Sequence, residues 1–449
     1  MQYTSPLEDI LRTNDRCSCG RAHSCSLQSF YVLPDSSEAF LPELLERFSA
    51  RRLHFISSAS AMEALGERIH SRMSSLGYPV SSSVFPPESG FVCDHVSAGD
   101  LLIHVPYGTD VIVAVGEKTV CDLAKFVCSK QHLPLIFLPV SASSDTFSMP
   151  EAEFTENDRR IRLPVPAPTV IVADISVLSA APTSSSGAGV ASLLADIVSL
   201  SDWDLCSSVT GSSRCSELSG LLSDRCRDIL RRIENGISPK DSALMSDLIT
   251  CLVLAGVISD LTGTLLPVRG SESCIARTAE LKLVSEDITD ISFETLRGIA
   301  SLYCVRMYEY LRKNRPDTET ARQDFYGIDR VYFNSELFRV FGEKEGHRIL
   351  SSFGGENYYQ TEGRMRRLNL LSRIYDEVMP PLWSSLPSSS RMTSLLRALS
   401  VPTSFYDIGF TREEILDILI WGKELSGSYD ITKLLADFLV LEKAAYTMV

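Results

Sequence analysis

Apolar residues in the first 180 positions come in short runs, separated by stretches with apolar residues at helical spacing. Four runs are typical of β-strands: LHFISSAS (53–60), DVIVAVG (110–116), LPLIFLPVS (133–141) and PTVIVADISVL (168–178). The helical patterns between them include MEALGERIHSRMSSLG (62–77) and TVCDLAKFVCSKQ (119–131). This alternation predicts a Rossmann-like parallel sheet with helices on both faces, where ligands bind beyond the carboxyl ends of the strands.

After Pro182 the pattern changes, and strand signals nearly vanish. The Ser-rich TSSSGAGVAS opens a long helix, and four later stretches have apolar residues at 3.6-type spacing: 242–263, 293–313, 361–378 and 411–427. The sequence therefore predicts three parts: an N-terminal extension (1–28), a Rossmann-like α/β domain (29–181) and an all-helical domain (182–449).

Composition and charge narrow the classes of partner. The 449-residue chain is 44% hydrophobic and 22% charged, and its formal net charge is −14. A strongly acidic chain without long basic clusters argues against nucleic acid as a partner, because phosphate neutralisation needs clustered Lys and Arg. No uninterrupted apolar run is long enough for a membrane span, and the N-terminal residues lack a secretion signal. Twelve cysteines, most within apolar stretches, suit free thiols and predict a cytoplasmic protein.

A local group of soft metal ligands, CxCGxxH, occurs near the N-terminus. It consists of Cys17, Cys19 and His23, with Cys25 following closely. A structural zinc ion normally needs four ligands, with a second pair nearby. The sequence offers no such pair, so an ordered N-terminal turn is favoured over a metal site.

The segment VIVAVGEKTVCDLAKF (111–126) places a strand, a turn and a helix in succession. A dinucleotide-binding turn begins in this way, with glycines that let backbone amides approach the pyrophosphate. Here Gly116 is followed by Glu117 and Lys118, whose side chains crowd that approach.

Five landmarks in order, AVGEKTVCDLAKF, FLPVSASSD, APTVIVADISVLSAAP, SLSDW and LVLAGV…LPVRGSES, resemble the glycerol-1-phosphate dehydrogenase family. That family shares a superfamily with iron-containing alcohol dehydrogenases and dehydroquinate synthases. The resemblance implies phospholipid biosynthesis and the NAD(P)H-dependent reduction of dihydroxyacetone phosphate to sn-glycerol 1-phosphate. It also implies a zinc ion, held by one Asp and two His, that polarises the substrate carbonyl.

The resemblance places serine at all three positions of the metal ligands. Ser192 stands at the Asp position, Ser273 at the first His position, and Ser292 at the second, where an HG-type segment aligns with SFETLRG. A neutral hydroxyl is a poor zinc ligand, so these positions predict that zinc is lost.

Alternatively, three neighbouring residues could form a rebuilt metal site in place of the lost ligands. Cys274 and Glu272 flank Ser273, and Asp196 stands where the family commonly has Lys. Such a site needs correct geometry and not mere proximity.

The dinucleotide site departs from the family pattern in two places. Gly116 and Thr119 match the family's turn, but Glu117 and Lys118 replace its other residues. Ser58 stands where the family has an Asp that holds ribose. We expect NAD(P) binding to be lost or weakened.

Other positions match the family, each with a structural alternative. Asp122 and Lys125 follow the turn as in the family, where the resemblance places Asp122 on the cofactor side. Alternatively, the two residues form a solvated i,i+3 pair on the helix surface. Asp145 matches an Asp on the substrate side of the family's site. Alternatively, it caps the next turn. Arg160 falls where the family has a Lys before an Ala-Pro dipeptide, which preserves the positive charge, or it lies on an exposed hairpin edge.

Three functions are consistent with these residues. The first is a non-catalytic pseudoenzyme that forms a homo-oligomer, or a hetero-oligomer with an active relative. The second is a metal-free cleft that binds a phosphorylated small molecule. The third is an active glycerol-1-phosphate dehydrogenase with a rebuilt site.

Overall fold

The computed structural model describes residues 7–8, 10, 17, 19–20, 23–87, 91–156, 159–286, 288, 291–323, 329–352 and 361–449. The chain divides into two compact units. The first comprises Met1–Leu193 and Cys215–Leu265, and the second comprises Leu194–Arg214 and Leu266–Val449.

A six-stranded parallel sheet forms the centre of the first unit, with strand order β1-β8-β5-β4-β2-β3. Its strands are β1 (Ser29–Leu33), β2 (Leu53–Ser58), β3 (Val80–Phe85), β4 (Val111–Gly116), β5 (Leu135–Pro139) and β8 (Val170–Asp174). A separate antiparallel hairpin is formed by β6 (Glu151–Glu156) and β7 (Arg159–Pro164). All six residues of β4 are buried, which explains its continuous apolar run.

Helices connect the strands of this unit and complete it. They are α1 (Ser37–Arg47), α2 (Glu67–Ser75), α3 (His95–His104), α4 (Lys118–Gln131) and α5 (Ile175–Ala180), followed by α7 (Ser216–Glu234) and α8 (Ser242–Thr262). A helical turn (Ala59–Ala61) and a π-helical turn (Met62–Gly66) precede α2. The predicted strand 168–178 ends early, because the Asp174 carboxylate accepts hydrogen bonds from the amides of Ser176 and Val177 and so begins α5.

Helix α6 (Thr183–Thr210) begins in the first unit and ends in the second, and the rest of the second unit is helical. Its helices are α9 (Ser271–Ser285), α10 (Phe293–Lys313), α11 (Thr318–Gln323), α12 (Arg330–Ser352), α13 (Thr361–Ser385), α14 (Ser389–Ala398), α15 (Arg412–Trp421), α16 (Ile431–Asp437) and α17 (Leu441–Tyr446). The predicted fold class, a Rossmann-like sheet followed by helices, is confirmed.

Helix α8 is apolar nearly throughout. Of the helices that the structure describes, it alone is long and apolar enough to cross a bilayer. Within its most apolar window, 78% of the residues are buried inside the protein. Asp241 caps its start, and Gly263, at φ 63°, ends it.

His54 makes the first unit sensitive to acid. It lies in β2 and is 1% exposed, and its ring nitrogens contact the hydroxyls of Ser81 (2.8 Å) and Ser83 (3.1 Å) on β3. Burial, reinforced by the charge of His104, lowers the pKa of His54 from 6.5 to about 4.

Acidification from pH 6.5 to pH 4 is therefore expected to lower the free energy of unfolding through His54. Between these pH values the unfolded chain binds the proton and the folded chain does not. The free energy of unfolding therefore falls by about 3 kcal/mol as the pH is lowered. Urea unfolding at a series of pH values measures this, and His54→Gln should flatten the slope. The exposed His132 provides a control, and a His132→Asn slope that flattens equally would contradict the assignment.

Candidate functional site

The predicted cofactor residues lie at the carboxyl edge of the sheet, where the strand order reverses. From β2 the chain continues to β3 on one side, whereas β4 pairs with the other side of β2. Ser58 ends β2, and Gly116 ends β4. A reversal of this kind opens a crevice in doubly wound sheets, and dinucleotides bind there.

Gly116 serves close packing of the strand against the helix that follows it. A Cβ at this position would lie 2.6 Å from the Cβ of Val120 in α4. The glycine is thus explained by its packing against the Val120 side chain, whether or not a phosphate binds. Glu117 occupies the N-cap position of α4 without capping the helix, and Thr119, in the first helical turn, is half-buried. A carboxylate at this end of the helix opposes a pyrophosphate electrostatically.

Lys118 is engaged by carboxylates on its own unit. Its Nζ lies 3.2 Å from Asp122 Oδ2 and 3.1 Å from Glu153 Oε1 on β6. It therefore neutralises these two groups, and much less of its charge remains to offset Glu117.

Asp122 and Lys125 form a buried pair, so the alternative of a solvated pair is wrong. Asp122 is 2% exposed and Lys125 is 1% exposed, and Asp122 Oδ1 lies 2.8 Å from Lys125 Nζ. The lysine also donates to the carbonyls of Thr146 and Glu151. Burial lowers the pKa of Lys125, but the charge and hydrogen bond of Asp122, together with Cys121 and Glu151, outweigh burial, and the net shift is upward. Lys125 thus links the helix to the loop before β6, and Asp122 compensates its charge.

Ser58 begins the helical turn after β2. Its Oγ accepts a hydrogen bond from the amide of Ala61 at 3.3 Å and contacts Ser60 Oγ at 3.3 Å. This is the role of an N-cap residue, and serine is among the residues that fill it best.

The two predicted substrate-side residues lie in different environments. Asp145 is 1% exposed, in the loop between β5 and β6. Arg160 lies in β7 of the hairpin, is exposed, and donates to Thr155 Oγ1 at 2.9 Å. The hairpin alternative therefore describes the local structure of Arg160.

A fully buried ion group lies in the second unit. Arg297 in α10 donates through one guanidinium nitrogen to Asp196 Oδ1 (2.9 Å) and to the carbonyl of Val268 (2.7 Å), and it lies 3.4 Å from Glu272 Oε1. The side chains of the arginine and of both carboxylates are 0% exposed. Ser273 Oγ also donates to Glu272 Oε1, at 2.7 Å.

The three predicted serines are not equivalent in the structure. Ser192 lies one turn before Asp196 on α6, is 0% exposed, and its Oγ has no hydrogen-bond partner among the described residues. Ser273 lies in α9, and is 5% exposed. Ser292 is exposed, and it caps α10 by accepting from the Thr295 amide at 3.2 Å. The residue of α10 that meets Asp196 and Glu272 is Arg297, and not Ser292.

Comparisons with known proteins agree with this architecture. The profile of the family described as "Iron-containing alcohol dehydrogenase" matches residues 36–182. Glycerol-1-phosphate dehydrogenase [NAD(P)+] from Bacillus licheniformis is 23% identical over 67% of this chain and 76% of its own. The Bacillus subtilis enzyme of the same name is 24% identical, over 74% of this chain and 83% of its own. This chain is thus similar in sequence to glycerol-1-phosphate dehydrogenases.

A solved structure supports the fold. Glycerol dehydrogenase from Schizosaccharomyces pombe superposes with a TM-score of 0.60 at 13% identity, covering 94% of this chain and 90% of its own. At this identity the likeness concerns the fold alone.

The residues present do not fit the metal of the family. Zinc in a catalytic site needs imidazole, carboxylate or thiolate ligands. Asp196 and Glu272, two of the three neighbours considered for a rebuilt site, are already bound by a guanidinium that repels a cation. That leaves Cys274 alone of the three neighbours, and a catalytic zinc site needs three protein ligands.

The sequence contains a signal for Arg297 that the alignment through Ser292 missed. In an HG-type segment the ligand directly precedes a glycine, and in SFETLRG the residue before Gly298 is Arg297. The arginine at this position meets Asp196, whose carboxylate compensates its charge.

Proposed function

We propose that this chain is a non-catalytic member of the glycerol-1-phosphate dehydrogenase family. The observation that carries the proposal is the guanidinium of Arg297, bonded to Asp196 and close to Glu272 in a fully buried position. In place of a metal that would polarise a carbonyl, the protein has a cation locked in a structural ion pair. A guanidinium donates hydrogen bonds but offers no open coordination position.

The cofactor side supports the same proposal. Glu117 lies at the helix N-terminus that a pyrophosphate would approach, and Lys118 is engaged by Asp122 and Glu153. Hydride transfer needs both a bound nicotinamide and a polarised carbonyl, and each loss raises the barrier by several kcal/mol.

The role that we propose is binding, with a second copy or an active relative as the partner. Val96 and Ile103 are seven residues apart on α3 and are 63% and 81% exposed, and Tyr107 beyond the helix is 99% exposed. Large apolar groups exposed together mark protein-binding surfaces. Light scattering of the purified chain, alone and mixed with a relative, measures this association. We also propose that the protein resides in the cytoplasm, because the described cysteines are free thiols.

The wild-type protein is expected to give no turnover of dihydroxyacetone phosphate with NADH or NADPH. Restoring the ligand set through Ser192→Asp, Asp196→Lys, Ser273→His and Arg297→His is expected to add about one zinc ion per chain over the wild type. Metal analysis and the absorbance of reduced nicotinamide report the two outcomes.

A matched variant places the second histidine at position 292 and keeps Arg297. It should gain no metal, because Ser292 is an exposed cap. The proposal would be overturned if the wild type reduced dihydroxyacetone phosphate, if this activity co-purified with the chain, and if Asp196→Ala abolished it. That result would favour an active enzyme with a rebuilt site. Thermal stabilisation of the wild type by dihydroxyacetone phosphate in the presence of a chelator would favour the metal-free binder.

A further inference from the structure

Four potential metal ligands meet in the first unit, whereas the ion group of Arg297 belongs to the second. They are Cys17, Cys19 and His23 from the N-terminal segment, and Cys215 at the start of α7. Their sulfur and ring nitrogen atoms all lie within 4.8 Å of one another. Cys17 Sγ is 3.3 Å from Cys215 Sγ, and Cys19 Sγ is 3.1 Å from His23 Nε2.

Cys215 is the ligand that sequence reasoning could not supply. It is 198 residues from Cys17, whereas the nearer Cys25 is not part of the group. With Cys215 the set becomes three thiols and one imidazole, which is a common donor set of structural zinc. Zinc–sulfur bonds of about 2.3 Å place tetrahedral sulfurs about 3.8 Å apart, so ligation requires only small shifts.

A hydrogen bond orients the imidazole for ligation. His23 is 8% exposed, and its Nδ1 lies 2.7 Å from the carbonyl oxygen of Leu261 in α8. A carbonyl oxygen only accepts, so Nδ1 carries the proton and the lone pair lies on Nε2, the atom beside Cys19. Metal-binding histidines typically make this second hydrogen bond to a carbonyl or carboxylate.

The surrounding charges also suit a cation with thiolate ligands. Cys215 is the N-cap residue of α7, does not cap the helix through its side chain, and is 3% exposed. Zinc with three thiolates and a neutral imidazole carries a net charge of about −1, which the N-terminus of a helix stabilises. Glu217 Oε2 lies 3.9 Å from Cys17 Sγ and would repel a thiolate that had no cation beside it.

We propose that Cys17, Cys19, His23 and Cys215 bind a structural zinc ion that fastens the N-terminal segment to α7 and α8. Four protein ligands leave no open position, so this site supports folding and not catalysis. The amide and hydroxyl of Ser26, which bond Asp260 Oδ2 at 2.7 and 2.6 Å, hold the next residues of the segment against α8.

The full chain, purified under reducing conditions without chelator, is expected to contain about one zinc ion. Cys19→Ser and Cys215→Ser should each lose it and lower the unfolding temperature. Cys25→Ser is the matched control: it lies in the same segment outside the group, and should keep the metal. Cobalt(II) substitution should give the visible absorption of a tetrahedral thiolate site.

Several outcomes would overturn the proposal. One is a wild-type protein that holds no more zinc than Cys215→Ser and whose unfolding temperature does not respond to a strong chelator. Another is zinc that survives Cys215→Ser but is lost in Asp196→Ala, which would place the ion elsewhere. A Cys17–Cys215 disulfide in the freshly purified, alkylated protein would show that the sulfurs pair covalently instead. Because the chelator test uses the wild type, the result does not depend on the variants folding.

Discussion

Replacing Arg297 by alanine is expected to lower the free energy of unfolding by about 3–5 kcal/mol. The change leaves Asp196 and Glu272 as two carboxylates with 0% exposed side chains and no guanidinium, and removes a donor from the Val268 carbonyl. Their repulsion in a region of low dielectric adds to the cost of desolvation. Urea unfolding at neutral pH measures the loss.

Arg339 provides the control for this experiment. It pairs with Asp417 and Glu336 in the same unit, but its side chain is 50% exposed. Arg339→Ala should therefore cost only about 1 kcal/mol or less. If Arg297→Ala were no more destabilising than Arg339→Ala, the buried group would not be a structural ion pair. The proposal that it replaced the metal would then lose its support.

Replacing Gly189 by alanine is expected to cost about 3 kcal/mol, or to prevent folding of the first unit. Gly189 lies in α6, and a Cβ there would sit 2.1 Å from the carbonyl oxygen of Ala142, in the loop after β5. That atom belongs to the backbone, so the helix and the loop must separate to admit the methyl group. Thermal or urea unfolding, with circular dichroism as the signal, reports the effect.

Gly220→Ala is the matched control, because it makes the same chemical change in a helix. Its expected effect on the free energy of unfolding has the opposite sign. Gly220 lies inside α7, and no atom is within 4 Å of the position that its Cβ would take. Alanine there should stabilise by about 0.5–1 kcal/mol, through helix propensity alone. Equal effects of the two substitutions would contradict the close approach at Gly189.

These glycines bear on why the glycine positions of the sequence landmarks are kept. Gly189 belongs to the GAGVAS stretch that leads to Ser192, and Gly116 belongs to the turn that leads to Glu117. Both are required by close packing, Gly189 against the backbone of Ala142 and Gly116 against the side chain of Val120. A motif can thus keep its glycines for the fold alone, because packing and chemistry constrain different residues.

The sequence by itself indicated four of the described strands, β2, β4, β5 and β8, and the main helices. The apolar runs of β4 and β5 and the helical spacing of α10 are local patterns, and each predicts its element without reference to the rest of the chain. The cap at Asp174 is also local, because its side chain bonds amides two and three residues away, but the predicted strand 168–178 ran past it.

Only the tertiary structure decided which side chains share a site. Asp122 and Lys125 have the spacing of a solvated helical pair, and their burial depends on the loop that covers them. Arg297 meets Asp196 across 101 residues, and Cys215 joins Cys17 across 198. A sequence pattern specifies which residues lie on one face of one element. The partner of a buried charge or a metal ligand is set by how separate elements pack, and that information is not local to either residue.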